Sequence, residues 1–290
     1  MKIQLYPLFL FALAACGGDK DGTTDTGATD GDADTDADSD SDADADSDTD
    51  TDSDTDPTGA GFTISGTAVD VFSQGPAAEG LCIDLVDPSP VLAGGDPAII
   101  NSSTVGAGGA FTFTGVVNTS AIGLLQSVKD CDGDPSTVYT SATPIDPAAL
   151  LGLGDGDTLS GRTAFSISNT FLAALEQSAT GIGYAGDLGD DGFMFGFTFD
   201  ATGAPVSGAT VTCSSCGSTW YLDADPTDGG LYGAGASLNT ETDAASGAAF
   251  LIPQGPIGTY GADDGGTHTW ADQLNGSNPG SATVTAFIAQ

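Results

Sequence analysis

Positive charge is what this chain has least of. Four Lys and Arg face 41 Asp and Glu, giving a formal net charge of −37 over 290 residues. Nucleic acid is thereby excluded as a partner, because nothing here could displace counterions from phosphates. Histidine is almost as scarce. The single His268 removes most hydrolase schemes: a zinc peptidase site needs more imidazole than one residue supplies, and the G-x-S-x-G turn that exposes a serine nucleophile is missing. Long apolar runs are missing too. The one apolar stretch near the start, residues 3–15, falls short of the ~20 residues of a bilayer span and is followed at once by Gly17-Gly18-Asp19.

What is abundant is aspartate. Between Asp19 and Asp56 lie 17 Asp and one Lys, and from Asp30 onward every second residue is Asp. No side chain larger than Ala and apolar occurs there, so the tract cannot bury enough surface to offset its ordering entropy and reads as a disordered linker. In an extended chain alternate residues sit ~7 Å apart, where unit charges in water repel by about 0.6 kcal/mol, close to RT. The tract therefore stretches, with an upper reach on the order of 130 Å for about 40 residues, and it gathers a loose cloud of cations. Stoichiometric calcium sites need the central Gly and the bidentate Glu of a true calcium loop, and the tract supplies neither.

Ahead of the tract, Lys2, the apolar segment and Leu13-Ala14-Ala15-Cys16 read as a secretory signal ending at a cysteine. These four residues resemble the lipobox of bacterial lipoproteins. The resemblance implies cleavage between Ala15 and Cys16, lipid on Cys16, and a membrane contact made by acyl chains, each buried methylene adding ~0.8 kcal/mol. Gly17 stands where enteric lipoproteins retained at the inner membrane carry Asp, so the same resemblance implies the outer membrane.

From Gly61 the texture changes to short apolar strands between Gly, Pro, Asp and Ser turns, an all-β sandwich pattern. In Phe193-Met194-Phe195-Gly196-Phe197-Thr198-Phe199, four Phe at period two must share one buried face. The segment after it resembles the carboxypeptidase regulatory-like (transthyretin-like) domain. Asp200, Gly203, Pro205, Val206, Gly208, Ala209 and Val211 match the first part of the pattern, and Thr242, Asp243, Gly247, Phe250, Gly258 and Tyr260 the second. A weaker earlier copy runs through Gly66-Thr67-Ala68-Val69-Asp70, Pro76, Gly80 and Ile83, then Thr104, Gly109, Phe111 and Phe113. The resemblance implies two seven-stranded sandwiches that are not themselves catalytic. Between the copies, Ser168–Gln177 reads as one short helix capped by Ser168 or Asn169 and stopped by Gly181. The resulting division is signal 1–15, lipidated N-terminus and acidic linker 16–59, β-sandwich module 60–140, connector with the helix 141–190, and β-sandwich module 191–290.

Four further cysteines, Cys82, Cys131, Cys213 and Cys216, allow three pairings in an exported protein. Proximity favours Cys82–Cys131, worth about 4 kcal/mol on the loop-entropy account, and Cys213–Cys216, which constrains little chain. Asp130, Asp132 and Asp134 in one turn, and Asp223, Asp225 and Asp228 in another, are candidate calcium ligands where backbone carbonyls could complete an oxygen shell. Calcium apart, no cofactor is implied. Exposed Trp220, Tyr221 and Trp270 on one face would instead mark a carbohydrate-binding module. The reading that fits most of the chain is a non-enzymatic, lipid-anchored outer-membrane protein presenting a β head for structural, adhesive or recognition work. Its partners are then the membrane, through the lipid, and an envelope or extracellular protein or glycan. An acid excess of this size also suits a salty medium, where ions screen self-repulsion. The folded part is expected to melt higher in molar salt than in dilute buffer, and equal melting temperatures would remove that reading.

Overall fold

The computed structural model describes residues 61–290 apart from 118–119, 134, 215 and 224–238. The signal segment, Cys16 and the acidic linker lie outside the described residues. In chain order the elements are β1 (Phe62–Asp70), β2 (Cys82–Asp87), β3 (Ala98–Thr104), β4 (Ala110–Val116), β5 (Leu124–Lys129), β6 (Val138–Tyr139), β7 (Ser141–Ile145), α1 (Pro147–Leu150), β8 (Thr158–Ser168), α2 (Asn169–Gly181), α3 (Leu188–Asp191), β9 (Phe193–Phe199), β10 (Thr210–Cys213), β11 (Trp220–Tyr221), β12 (Ala249–Pro253), β13 (Gly258–Asp263), β14 (Gln273–Asn275) and β15 (Ala282–Ile288). Among the described residues the fold is all-β with three short α-helices.

The same pairing scheme occurs twice. β1 lies between antiparallel β4 and parallel β8, as β9 lies between antiparallel β12 and parallel β15. Facing these, β2, β5 and β7 pair antiparallel in that order, as do β10, β13 and β14. Even the turns correspond: β1 and β9 are each followed by a bridge to a proline, Val69 to Pro76 and Phe199 to Pro205. A short 3-10 turn, Ala107–Gly109 or Ala244–Ser246, precedes the antiparallel partner strand in each copy.

This repeat redraws the stretch 141–190. Rather than a connector with one helix, it first gives β7 and β8 to the first module, because SATPI and TAFS each alternate buried and half-buried side chains as strands inside a sandwich do. Only then does the chain enter α2. That helix ends at Gly181 as the sequence indicates, and Ser168 takes the N-cap position with extended backbone, though no side-chain bond completes the cap. Ser168 is still the last residue of β8, paired with Val138. Asn169 turns away and donates Nδ2 to the carbonyl of Pro135 at 2.6 Å.

The modules are joined by backbone. β15 pairs with β9 on one edge and with β7 on the other, parallel in both cases, so one eight-stranded sheet runs β11-β12-β9-β15-β7-β5-β2-β3. Three apolar layers follow. The first module closes Ile64, Phe111 and Phe113 over Ile83, Leu85, Leu124 and Ile145. The second closes Met194, Phe250, Ile252 and Phe287 over Val211 and Tyr260. The third lies between them: Phe193, Phe195 and Phe197 meet Phe171, Leu175 and Ala179 of α2 and Ile167 of β8.

The four Phe of β9 do share a face, with Phe199 the least buried. That face looks away from their own sandwich, toward the helix. Phe171 meets Phe195 edge-on at 5.5 Å, and Phe195 meets Phe197 at 5.3 Å, geometries that favour aromatic pairs beyond area burial alone. On the opposite face Gly196 leaves room for Phe250, whose ring any Cβ would strike. Since β9 is buried on both faces, Phe195→Ala is expected to cost about 3–5 kcal/mol, measured by denaturant unfolding. A loss near zero would mean that the helix layer adds nothing to the fold.

Candidate functional site

The residues that carry the regulatory-domain resemblance come together, and their polar groups are spent on backbone. Asp200 Oδ1 accepts from Thr202 N at 2.8 Å, Thr202 Oγ1 at 2.7 Å and Ala204 N at 2.9 Å, closing the turn after β9. Gly203 and Gly208 take positive φ, 84° and 80°, which an L side chain rarely adopts. Thr242 is buried. Its hydroxyl donates to Val206 O at 2.7 Å and accepts from Ala209 N at 3.0 Å, pinning the second part of the pattern to the first. Asp243 Oδ1 accepts from Ala245 N at 2.9 Å, Phe250 fills the core, and Tyr260, also buried, donates to Pro256 O at 2.5 Å. The motif is a scaffold of turns and core.

The cysteines pair as Cys82–Cys131, with Cα atoms 4.9 Å apart, and Cys213–Cys216, at 5.7 Å. Of the candidate calcium ligands, Asp134, Asp225 and Asp228 lie outside the described residues. Asp130 is buried, and its Oδ2 accepts from Thr137 N at 2.8 Å and Val138 N at 3.1 Å, so it holds the loop that leads into β6. Among the described residues no three His, Cys, Asp or Glu side chains group as a metal site. Trp220, Tyr221 and Trp270 are buried rather than displayed. Tyr221 OH accepts from Val211 N at 2.8 Å, and Trp270 Nε1 donates to Phe199 O at 3.1 Å. They are core residues and offer no stacking platform to a sugar.

His268 is tied to one carboxylate. Its Nδ1 lies 2.6 Å from Asp264 Oδ2, while its backbone N–H donates to Asp264 Oδ1 at 3.0 Å. That backbone bond, with the imidazole beside it, holds the Asp264 carboxyl below the usual range. The pair organises the loop after β13, and among the described residues no serine or cysteine thiol extends it into a triad.

One group of acids was not legible from spacing. Where α2 meets α3, Glu176 Oε1 accepts from Gly189 N at 3.1 Å, Tyr139 OH donates to Gly189 O at 2.6 Å, and Asp187 Oδ1 accepts from Asp190 N at 3.0 Å. Tyr184 OH donates to Asp191 Oδ2 at 2.7 Å. Burial, then the nearby Asp187 and Asp190, push the Glu176 carboxyl above its usual value, against the pull of the Gly189 N–H. Burial and the Asp191 contact likewise push Tyr184 up to about 12. A second polar oddity sits in the first module's interior. Gln126 is fully buried, and neither of its amide atoms has a partner among the described residues.

No family model matches the chain, and no curated protein matches it. Solved structures do. The Bacillus anthracis TIE protein is 10% identical over 79% of this chain and 34% of its own, with a TM-score of 0.25, so the chain spans about a third of that protein's length. A double mutant of the shaft pilin SpaA from Lactobacillus rhamnosus GG is 11% identical, covering 80% of this chain and 98% of the pilin at a TM-score of 0.23. A streptococcal ancillary pilin is 10% identical, covering 79% and 68% at 0.23. Likeness at these scores carries no argument about activity or partners.

The Glu176 site makes a pH prediction. A carboxyl whose folded pKa is raised adds stability while protonated, and that stability is lost as pH rises from the unfolded value through the folded one. Glu176→Gln keeps an acceptor for Gly189 N and removes the charge beside Asp187. It is expected to raise the melting temperature at pH 7, with the gain vanishing at acid pH where Glu176 is already protonated. A gain independent of pH would assign the effect to packing.

Proposed function

We propose that this chain is a lipid-anchored envelope protein without catalytic activity. Residues 1–15 direct export and are removed, Cys16 carries the lipid, and residues 16–59 form an acidic stalk. The β head serves structural, adhesive or recognition work toward an envelope or extracellular protein or glycan. The Gly at position 17 favours the outer membrane.

The observation that carries the non-catalytic reading is where the head's reactive groups go. Asp130, Asp200 and Asp243 each accept from backbone N–H groups, His268 is held by Asp264, and all four cysteines of the head are paired. A hydrolytic site would need such groups converging on open space. The run of alternating aspartates supports the stalk, since like charges so close favour a drawn-out chain on which a folded head can reach up to tens of Å from its anchor. Mass spectrometry of the mature N-terminus, with protease shaving of whole cells, is the test. A diacylated Cys16 as first residue and release of the head are expected, and a retained Met1 or an unmodified Cys16 would overturn the anchor.

A further inference from the structure

Among the described residues, Ile257, Leu274 and Ile288 of the second module are exposed apolar side chains, but the larger group lies in the first module. Leu92, Ile99, Val117 and Leu151 are 55%, 58%, 61% and 79% exposed, and Ile100 stands beside them. All five belong to one end of the first module. β1, β3, β5 and β8 begin at that end and β2, β4 and β7 finish there, as the register pairs Phe62 with Val116, Thr63 with Thr158, Asp87 with Ala98 and Leu124 with Ile145. The loops are fastened to one another. Ser89 Oγ lies 2.8 Å from Ser120 Oγ, and Gly61 N donates to Asp155 Oδ1 at 3.1 Å while Gly156 N donates to Gly61 O at 2.8 Å. Between Val117 and the loop carrying Leu151 runs a shallow cleft lined by Phe62, Val116, Leu150 and Leu153.

Apolar groups presented together from separate loops mark a contact surface rather than the ordinary scatter of a soluble domain. Which contact is indicated by the chain outside the structure. Residues 1–60 join the head at Gly61, on the rim of this cleft, so the chain that leads to the proposed anchor departs from this end. The loops at this end, 88–97, 117–123 and 146–157, contain no Lys or Arg, but they carry Asp96, Asp146, Asp155 and Asp157. That charge opposes an anionic surface and tolerates a neutral one.

We propose that this end is a membrane-contact surface for neutral lipid, with Leu92, Val117 and Leu151 entering the boundary between headgroups and acyl chains and the second module held away from the bilayer. The surface takes only its orientation from the proposed anchor.

The test therefore uses the mature chain from residue 16 carrying Cys16→Ser, which bears no lipid. In L151W the added indole is expected to be quenched by phosphatidylcholine vesicles with brominated acyl chains, while Trp220 and Trp270, buried in the second module, keep their emission. V117D is expected to lower vesicle partition about tenfold, as loss of inserted apolar area plus an added charge requires. Phosphatidylglycerol vesicles should bind less well than phosphatidylcholine. No quenching at millimolar lipid would overturn the proposal, and so would binding indifferent to V117D. Self-association that V117D abolishes would assign the surface to a second copy of the chain and also overturn it. An unmodified Cys16 in cells would remove the anchor and leave these measurements untouched.

Discussion

Strand β15 is hydrogen-bonded along both edges, to β9 of its own module and to β7 of the other. Everything about the head's unity follows from that. A sandwich has two inner faces and two outer ones, and two sandwiches strung on a chain would ordinarily meet through outer faces. Here the main chain itself crosses from one to the other, so the outer face of β9 has to be covered by something fixed relative to the first module. Helix α2 and the end of β8 supply the cover, which is why Phe195 packs on Phe171 and not into its own sandwich. The short helix is the filler of a gap that the continuous sheet creates.

The acidity of the chain has a second use inside the head. Asp70, Asp146, Asp187, Asp200, Asp243 and Asp264 each accept a bond from a backbone N–H two to four residues on. Short Asp side chains mimic a turn of backbone, so they build corners well. With so few cations available, carboxylates find their partners among amides. Asp84 instead meets Lys129 Nζ at 2.6 Å while accepting from Ser102 Oγ at 2.7 Å.

Much of this was legible in residue order. The period-two Phe run, the paired prolines and glycines of the two copies, and the aspartates that end strands all mark elements whose cause is local. What could not be read was whatever depends on distant pairing. The β15–β7 seam joins residues some 140 apart with nothing in either segment to announce it. For the same reason β7 and β8 read as connector, and the Phe face could be recognised without its destination. The candidate site was read least well. Asp130 looked like a ligand because spacing shows carboxylates together and cannot show the amides that claim them. Whether Trp220 and Trp270 are displayed could not be read either, because an aromatic beside turn residues gives no sign of which way it faces.

The position of β1 has one more consequence. The linker joins at the start of a strand that is central in its sheet, with β4 on one side and parallel β8 on the other. Tension arriving along the linker acts lengthwise on β1, so the hydrogen bonds on both edges share it at once in shear. They are not peeled one after another, as they would be had the chain entered through an exposed edge such as β3. Were the head held and pulled through that end, many hydrogen bonds would have to break together before β1 came away.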